Sequence, residues 1–118
     1  MKKLCLFILA AVLGGQSVVT PVSLADVAGD GAVHAVAATG TAYSVTITSA
    51  SSNSTTNCGS TAISGCVRTG DSNISTSRGQ YLTPGQSAEW KPQQQRYNLS
   101  SIYYLVQSGD KISISMTQ

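Results

Sequence analysis

Two runs of the chain alternate apolar and polar residues one by one. In AYSVTIT, Tyr43, Val45 and Ile47 fall on one face and Ser44, Thr46 and Thr48 on the other. That period of two is the pattern of a half-buried β-strand. KISISMT repeats it near the C-terminus, with Ile112, Ile114 and Met116 opposed by Ser113 and Ser115. SIYYLV, from Ser101 to Val106, is instead an almost unbroken aromatic and β-branched run, which predicts a buried central strand. CVRTG predicts a further strand starting at Cys66, and NISTS and QYL are short strand candidates separated by Arg78-Gly79.

The punctuation between these runs is turn chemistry. Pro84-Gly85 in TPGQ supplies the fixed φ and then the positive φ of a type II turn. Gly70-Asp71 and Ser108-Gly109-Asp110 mark two further reversals, SASSNSTTN is a loop without large apolar residues, and KPQQQRYN is a polar connector after SAEW. No segment carries a long 3.6-residue apolar period, and no internal repeat of 20 to 50 residues is apparent. Closely spaced turns between short strands predict an all-β fold, a small antiparallel β-sandwich or partly open barrel, over residues 41–118.

The N-terminal part has a different character. Lys2 and Lys3 precede the apolar run LCLFILAAVLGG, and Ser23 and Ala25 stand as small residues at −3 and −1 of a cleavage site before Asp26. These are the three parts of a secretory signal peptide. The apolar run is shorter than the about 20 residues a transmembrane helix requires, so residues 1–25 predict export without stable membrane insertion after cleavage. Residues 26–40, rich in Ala and Gly, predict an extended or poorly ordered arm, with a short helix as the alternative. The expected location is periplasmic, extracellular or on a virion surface.

Removing the leader changes the charge balance. Lys91, Lys111, Arg68, Arg78 and Arg96 are then matched by Asp26, Asp30, Asp71, Asp110 and Glu89. A neutral surface lacks the cationic excess that nucleic acid or an anionic membrane demands, so neither is an expected partner. Two cysteines remain, Cys58 and Cys66, flanking the flexible GSTAISG. An even pair in an exported chain predicts one disulfide, closing a loop worth roughly 2 to 3 kcal/mol by the chain-entropy model. Their spacing is wider than C-x-x-C and no further thiol or imidazole stands nearby, which argues against zinc.

Candidate chemistry is sparse. His34 is the single histidine and sits in an Ala/Val-rich stretch, where it reads as a surface or packing residue. Glu89 with Asp71 or Asp110 would make the carboxylate pair of a small hydrolase, but four of the five acids stand beside glycines or in turn-like contexts. Asp71-Ser72-Asn73 begins like a calcium loop without its later Gly and Glu, so Asp71 and Asn73 read as turn residues bonding the backbone. Asn53-Ser54-Thr55, Asn73-Ile74-Ser75 and Asn98-Leu99-Ser100 are formal glycosylation sequons. Trp90, with Tyr81 and Tyr97 among the tyrosines, offers an aromatic platform for a sugar ring, although aromatics in small β domains more often fill the core. Catalytic residues, metal ligands and cofactors are therefore not expected. The residues singled out for a binding surface are Arg78, Glu89, Trp90, Tyr81 and Tyr97.

VRTGDSNISTSRGQYLTPGQSAEW and YNLSSIYYLVQSGDKISISM, preceded by YSVTIT, share an order of motifs with a known group. From Val67 to Met116 the chain resembles the C-terminal half of small β-rich bacteriophage virion-associated proteins. Those follow V-x-x-G-D-S-N-V-S-x-x-x-G-x-x-L-x-P-G-E with a later aspartate-leucine-serine strand entry. The resemblance implies structural roles: Gly70 and Asp71 turn out of a strand, Gly79 turns into the next, and Leu82 caps the core before the Pro84-Gly85 bend. It also implies a non-enzymatic particle-surface subunit that assembles in repeats. Gln86 departs from the acidic residue after Pro-Gly, and Asn98 from the usual Asp. A leader and a disulfide suit a coat that passes through a membrane, or a cellular protein using the same module outside the cytoplasm. The expected function is an exported, phage- or prophage-derived structural or surface-attachment module, partnered by itself or another surface protein. The alternatives are a bacterial adhesin or carbohydrate-binding domain that takes a glycan, and a small secreted hydrolase.

Overall fold

The computed structural model describes residues 19–54, 67–91 and 95–118. In chain order the strands are β1 (Pro21–Ser23), β2 (Val27–Ala28), β3 (Val33–Ala35), β4 (Thr41–Ala42), β5 (Ser44–Ser49), β6 (Val67–Gly70), β7 (Gln80–Leu82), β8 (Ser87–Trp90), β9 (Tyr97–Asn98), β10 (Tyr103–Val106) and β11 (Lys111–Thr117). One sheet runs β1-β11-β5-β8, with β2 continuing beside β1 along β11. A second runs β3-β10-β6-β7, and β4 pairs with β9 in a short third ladder. All these pairings are antiparallel.

Alternation decides which face each strand buries. In β11, Ile112, Ile114 and Met116 are buried and Lys111, Ser113 and Ser115 are exposed. The register aligns Ile114, Ile47 and Ala88 across the first sheet, and Met116, Val45 and Trp90 in the next inward row. Val106, Val67 and Leu82 form the facing row of the second sheet. Both inner faces join in one apolar cluster, so the two sheets pack as layers of a sandwich. Val45, Ile47, Val67 and Ile112 are wholly excluded from water, and burying a side chain of this kind stabilises by about 1.5–3 kcal/mol.

The sandwich does not close into a barrel. The edge strands β7 and β8 are consecutive, and the bend at Pro84-Gly85 carries the chain from one sheet to the other. Gly85 has φ +84°, as the turn chemistry requires. Gln86 N–H donates to Thr83 O at 2.9 Å, its Oε1 accepts from Thr83 N–H, and Gly85 N–H ties the corner to Ser49 O. Held together at this corner, β7 and β8 lie in different layers and do not pair with each other.

One local expectation comes out differently, and segments before residue 41 join both sheets. NISTS does not form a strand. Asp71 Oδ1 accepts from Asn73 N–H at 2.9 Å and Asp71 O from Ile74 N–H, which winds the chain into a turn and leaves only a bridge between Ser75 and Arg78. Residues 26–40 supply β2 and β3, one to each sheet, and Val36 enters the core. Residues 21–23, inside the expected leader, form β1. Cys58 and Cys66 lie outside the described residues.

Candidate functional site

Because β7 and β8 diverge from the Pro84-Gly85 corner, the sandwich opens at its far end into a cleft of about 440 Å³. One wall is the end of β6, the turn after it and the start of β7, from Thr69 to Gln80. The other is Ala88, Glu89 and Trp90 of β8. The volume lies within the roughly 300–1,000 Å³ of small-molecule sites.

The register sets what faces the cleft. Trp90 shares a row with Val45 and Met116, so its indole belongs to the inner face, half-buried against the core. Glu89 alternates to the row of Thr46 and Ser115, the outer face, where its carboxylate lies 3.0 Å from Lys91 Nζ. Thr69 and Gln80 form the facing inner row on the second sheet. Arg78 enters from the turn, whose ends are fixed by paired backbone hydrogen bonds with Ser75. The turn is anchored underneath by Ile74, which is buried with Leu105. Gly79 lets it pack so closely: its φ is +105°, and a Cβ there would come within 2.9 Å of both Thr69 O and Ile74 Cγ2.

Of the residues singled out from sequence, the cleft brings together Arg78, Trp90 and the backbone of Glu89, with Asp71 at the rim. Tyr81 stands elsewhere: it pairs in register with Arg68 and Leu105 on the outer face of the second sheet. Tyr97 packs against the core beside the β4–β9 ladder. Among the described residues, Trp90 is thus the one aromatic residue lining this cleft. Asp110 is buried at the turn into β11, where Oδ1 accepts from Ser54 N–H at 3.1 Å.

Two other polar arrangements appear only in three dimensions. Arg68 is buried on the outer face, donates from one terminal nitrogen to Gly79 O at 2.9 Å, and lies 4.6 Å from the Tyr81 ring centroid. Nothing local in VRTG indicated that a ring and a carbonyl would hold it. His34 Nε2 meets Asp30 Oδ2 at 2.9 Å on the surface, and its ring lies 5.8 Å from that of Tyr104. The Ala32 amide and then His34 hold the Asp30 carboxyl below its usual value. Burial, with the Asp30 charge behind it, pushes the Tyr104 phenol up.

Among the described residues no three His, Cys, Asp or Glu side chains converge as metal ligands, and no helix is long and apolar enough to cross a membrane. Comparison with protein-family models, curated proteins and solved structures finds no match for this chain.

Proposed function

We propose that this chain is an exported, non-enzymatic structural or surface-attachment module that works by binding or assembly, of phage or prophage lineage. The observation that carries the binding role is the open end of the sandwich, away from the Pro84-Gly85 corner, where Trp90 and Arg78 border one cleft beside the edge of β8. Binding residues are disproportionately carried on loops that a rigid scaffold positions, as the turn bearing Arg78 is here. The lineage rests on the order of motifs from Val67 to Met116. A Cys58–Cys66 disulfide belongs to the same proposal, as the clasp of the loop that precedes β6.

The second reading, a carbohydrate-binding domain, is favoured by the chemistry of that cleft. An indole face, the Gln80 amide, the Arg78 guanidinium and the Asp71 carboxylate line or border it. Planar polar groups around one aromatic ring suit a neutral polyhydroxylated ligand, which stacks its C–H face and pairs its hydroxyls. The exported protein, sized by light scattering and applied to a glycan array, separates the readings. Assembly predicts a mass of several subunits. Glycan attachment predicts array binding that Trp90→Ala abolishes while the circular dichroism spectrum stays unchanged. A monomer that binds neither glycan nor host-surface protein would overturn the proposal.

A further inference from the structure

The segment that precedes Asp26 is built into the sandwich. Thr20 N–H donates to Gln118 O at 2.7 Å and Thr20 O accepts from Gln118 N–H at 2.9 Å. Pro21, Val22 and Ser23 pair with Thr117, Met116 and Ser115, and Leu24 N–H donates to Ile114 O at 3.0 Å. Val22, opposite the buried Met116, packs against the apolar core. β2 then continues along the same side of β11, pairing with Ile112 and Lys111. Together these segments cover one whole side of β11, and Pro21 stands on the sheet edge, where proline is tolerated.

A cut before Asp26 would remove β1 and keep β2. The backbone of β11 from Ile114 onward would lose its partners on that side, and the place of Val22 on the core would open to water. An unpaired edge of this kind invites pairing with another chain. The sequence offers a position that avoids this. Upstream of β1, Gly15-Gln16-Ser17 places small residues at −3 and −1, directly after the apolar run that ends at Gly14-Gly15. A leader ending at Ser17 also keeps its polar tail short and its length within the about 15–30 residues of signal peptides. No other pair of Gly, Ala or Ser two residues apart occurs before Thr20.

We infer that the chain is processed between Ser17 and Val18, a signal-peptidase site that leaves β1 in the mature protein. The inference rests on the reading that the chain is exported. Cleavage precedes folding, so the structure bears on which product the fold can use, and the small residues at Gly15 and Ser17 bear on recognition.

The test is to express the complete gene in a secreting bacterial host and read the N-terminus of the exported product by intact mass and Edman degradation. The expected first residue is Val18. Ser17→Leu, which puts a bulky side chain at −1, is expected to leave the leader uncleaved. Ala25→Leu, at an exposed position, is expected to leave the product unchanged. A mature chain starting at Asp26, or maturation blocked by Ala25→Leu and not by Ser17→Leu, would overturn the inference while leaving export intact. Wild-type chain that stays in the cytoplasm with its leader attached would overturn both.

Discussion

The side chain of Asn53 bonds both backbone polar groups of Lys111, beside a longer bond of 3.2 Å from Ala50 N–H to Lys111 O. Its Nδ2 donates to Lys111 O at 2.8 Å, and its Oδ1 accepts from Lys111 N–H at 2.9 Å. Nδ2 also lies 3.0 Å from Ser49 Oγ, in a buried contact. The β5–β11 ladder has its last pair at Ser49 and Ile112, so the amide extends it by one step and fixes where β11 begins. Asn53→Ala removes the acceptor of Lys111 N–H and the donor to buried Ser49 Oγ, while Lys111 O keeps Ala50 N–H, and is expected to cost about 1–3 kcal/mol. Asn53→Asp keeps the acceptor for Lys111 N–H but turns a carboxylate toward Lys111 O, so it is expected to be at least as destabilising. Urea unfolding checks both, as a lower midpoint at unchanged slope.

Gly79 is the point of the cleft-shaping turn where an added Cβ would press on backbone as well as side chain. At φ +105°, with Thr69 O and Ile74 Cγ2 each 2.9 Å from any added Cβ, Gly79→Ala strains the backbone and presses on fixed atoms. A loss of about 1–3 kcal/mol is expected. Gly109, also at positive φ, has open space around it, so Gly109→Ala is expected to show the conformational cost without the clash and to be milder. Equal losses at the two sites would contradict this account of the turn.

Arg68 and Tyr81 form a pair on the outer face of the second sheet, with the guanidinium carbon 4.6 Å from the ring centroid. A double-mutant cycle with Arg68→Met and Tyr81→Leu is expected to give a favourable coupling of about 0.5–2 kcal/mol. Among the described residues the Nε atom of Arg68 is buried without a partner, and methionine relieves that cost. Arg68→Met alone is therefore expected to be milder than Tyr81→Leu is in the wild-type background. Zero coupling would show that the ring and the cation share the surface without interacting.

Much of the scaffold was legible because alternation is a local signal. β5 and β11 show Val45, Ile47, Ile112, Ile114 and Met116 inward in sequence as in structure. The continuous run before Val106 became β10, flanked on both sides by β3 and β6. NISTS misled because Ile74 and Thr76 alternate with Asn73, Ser75 and Ser77, while Asp71 competes for the Asn73 amide and takes the chain out of the sheet. Residues 26–40 lack a strong period because β2 and β3 are edge segments of two or three residues, too short to display one. At the candidate site, Arg78 and Trp90 were legible by type, while the opposite facing of Glu89 depended on the register between β5 and β8. Asn53 showed the opposite failure: as part of Asn53-Ser54-Thr55 it matched a modification sequon, while its amide belongs to the β11 ladder.

Tyr104 lies in the core with its phenol pushed above the ordinary value of 10.0 by burial and, secondarily, by the Asp30 carboxylate. The folded chain therefore keeps that proton at pH values where the unfolded chain has released it. This contribution to stability is complete below about pH 10 and is lost as pH rises through the folded-state value. Stability is expected to fall with pH above 10, and Tyr104→Phe is expected to flatten that decline. Thermal melts of both proteins between pH 8 and 11.5 check it, and an identical slope in the variant would exclude Tyr104 as the source.

Trp90 is the only tryptophan of the chain and stands where the core meets the cleft, so its tryptophan fluorescence reports on that end of the sandwich. Half-buried on the inner row with Val45 and Met116, it is expected to emit at a wavelength between those of buried and fully hydrated indole. A ligand that stacks on the ring in the cleft excludes water, shifts the emission to the blue and protects it from iodide. Arg78→Ala, on the opposite wall, removes a hydrogen-bond donor without touching the indole. It is expected to leave the unliganded spectrum unchanged and to weaken the ligand-induced shift, by about tenfold in apparent affinity for one lost charge-assisted hydrogen bond. Titration with the glycans that score on the array provides the measurement. A saturable shift of equal midpoint in both proteins would place the ligand away from the Arg78 side of the cleft.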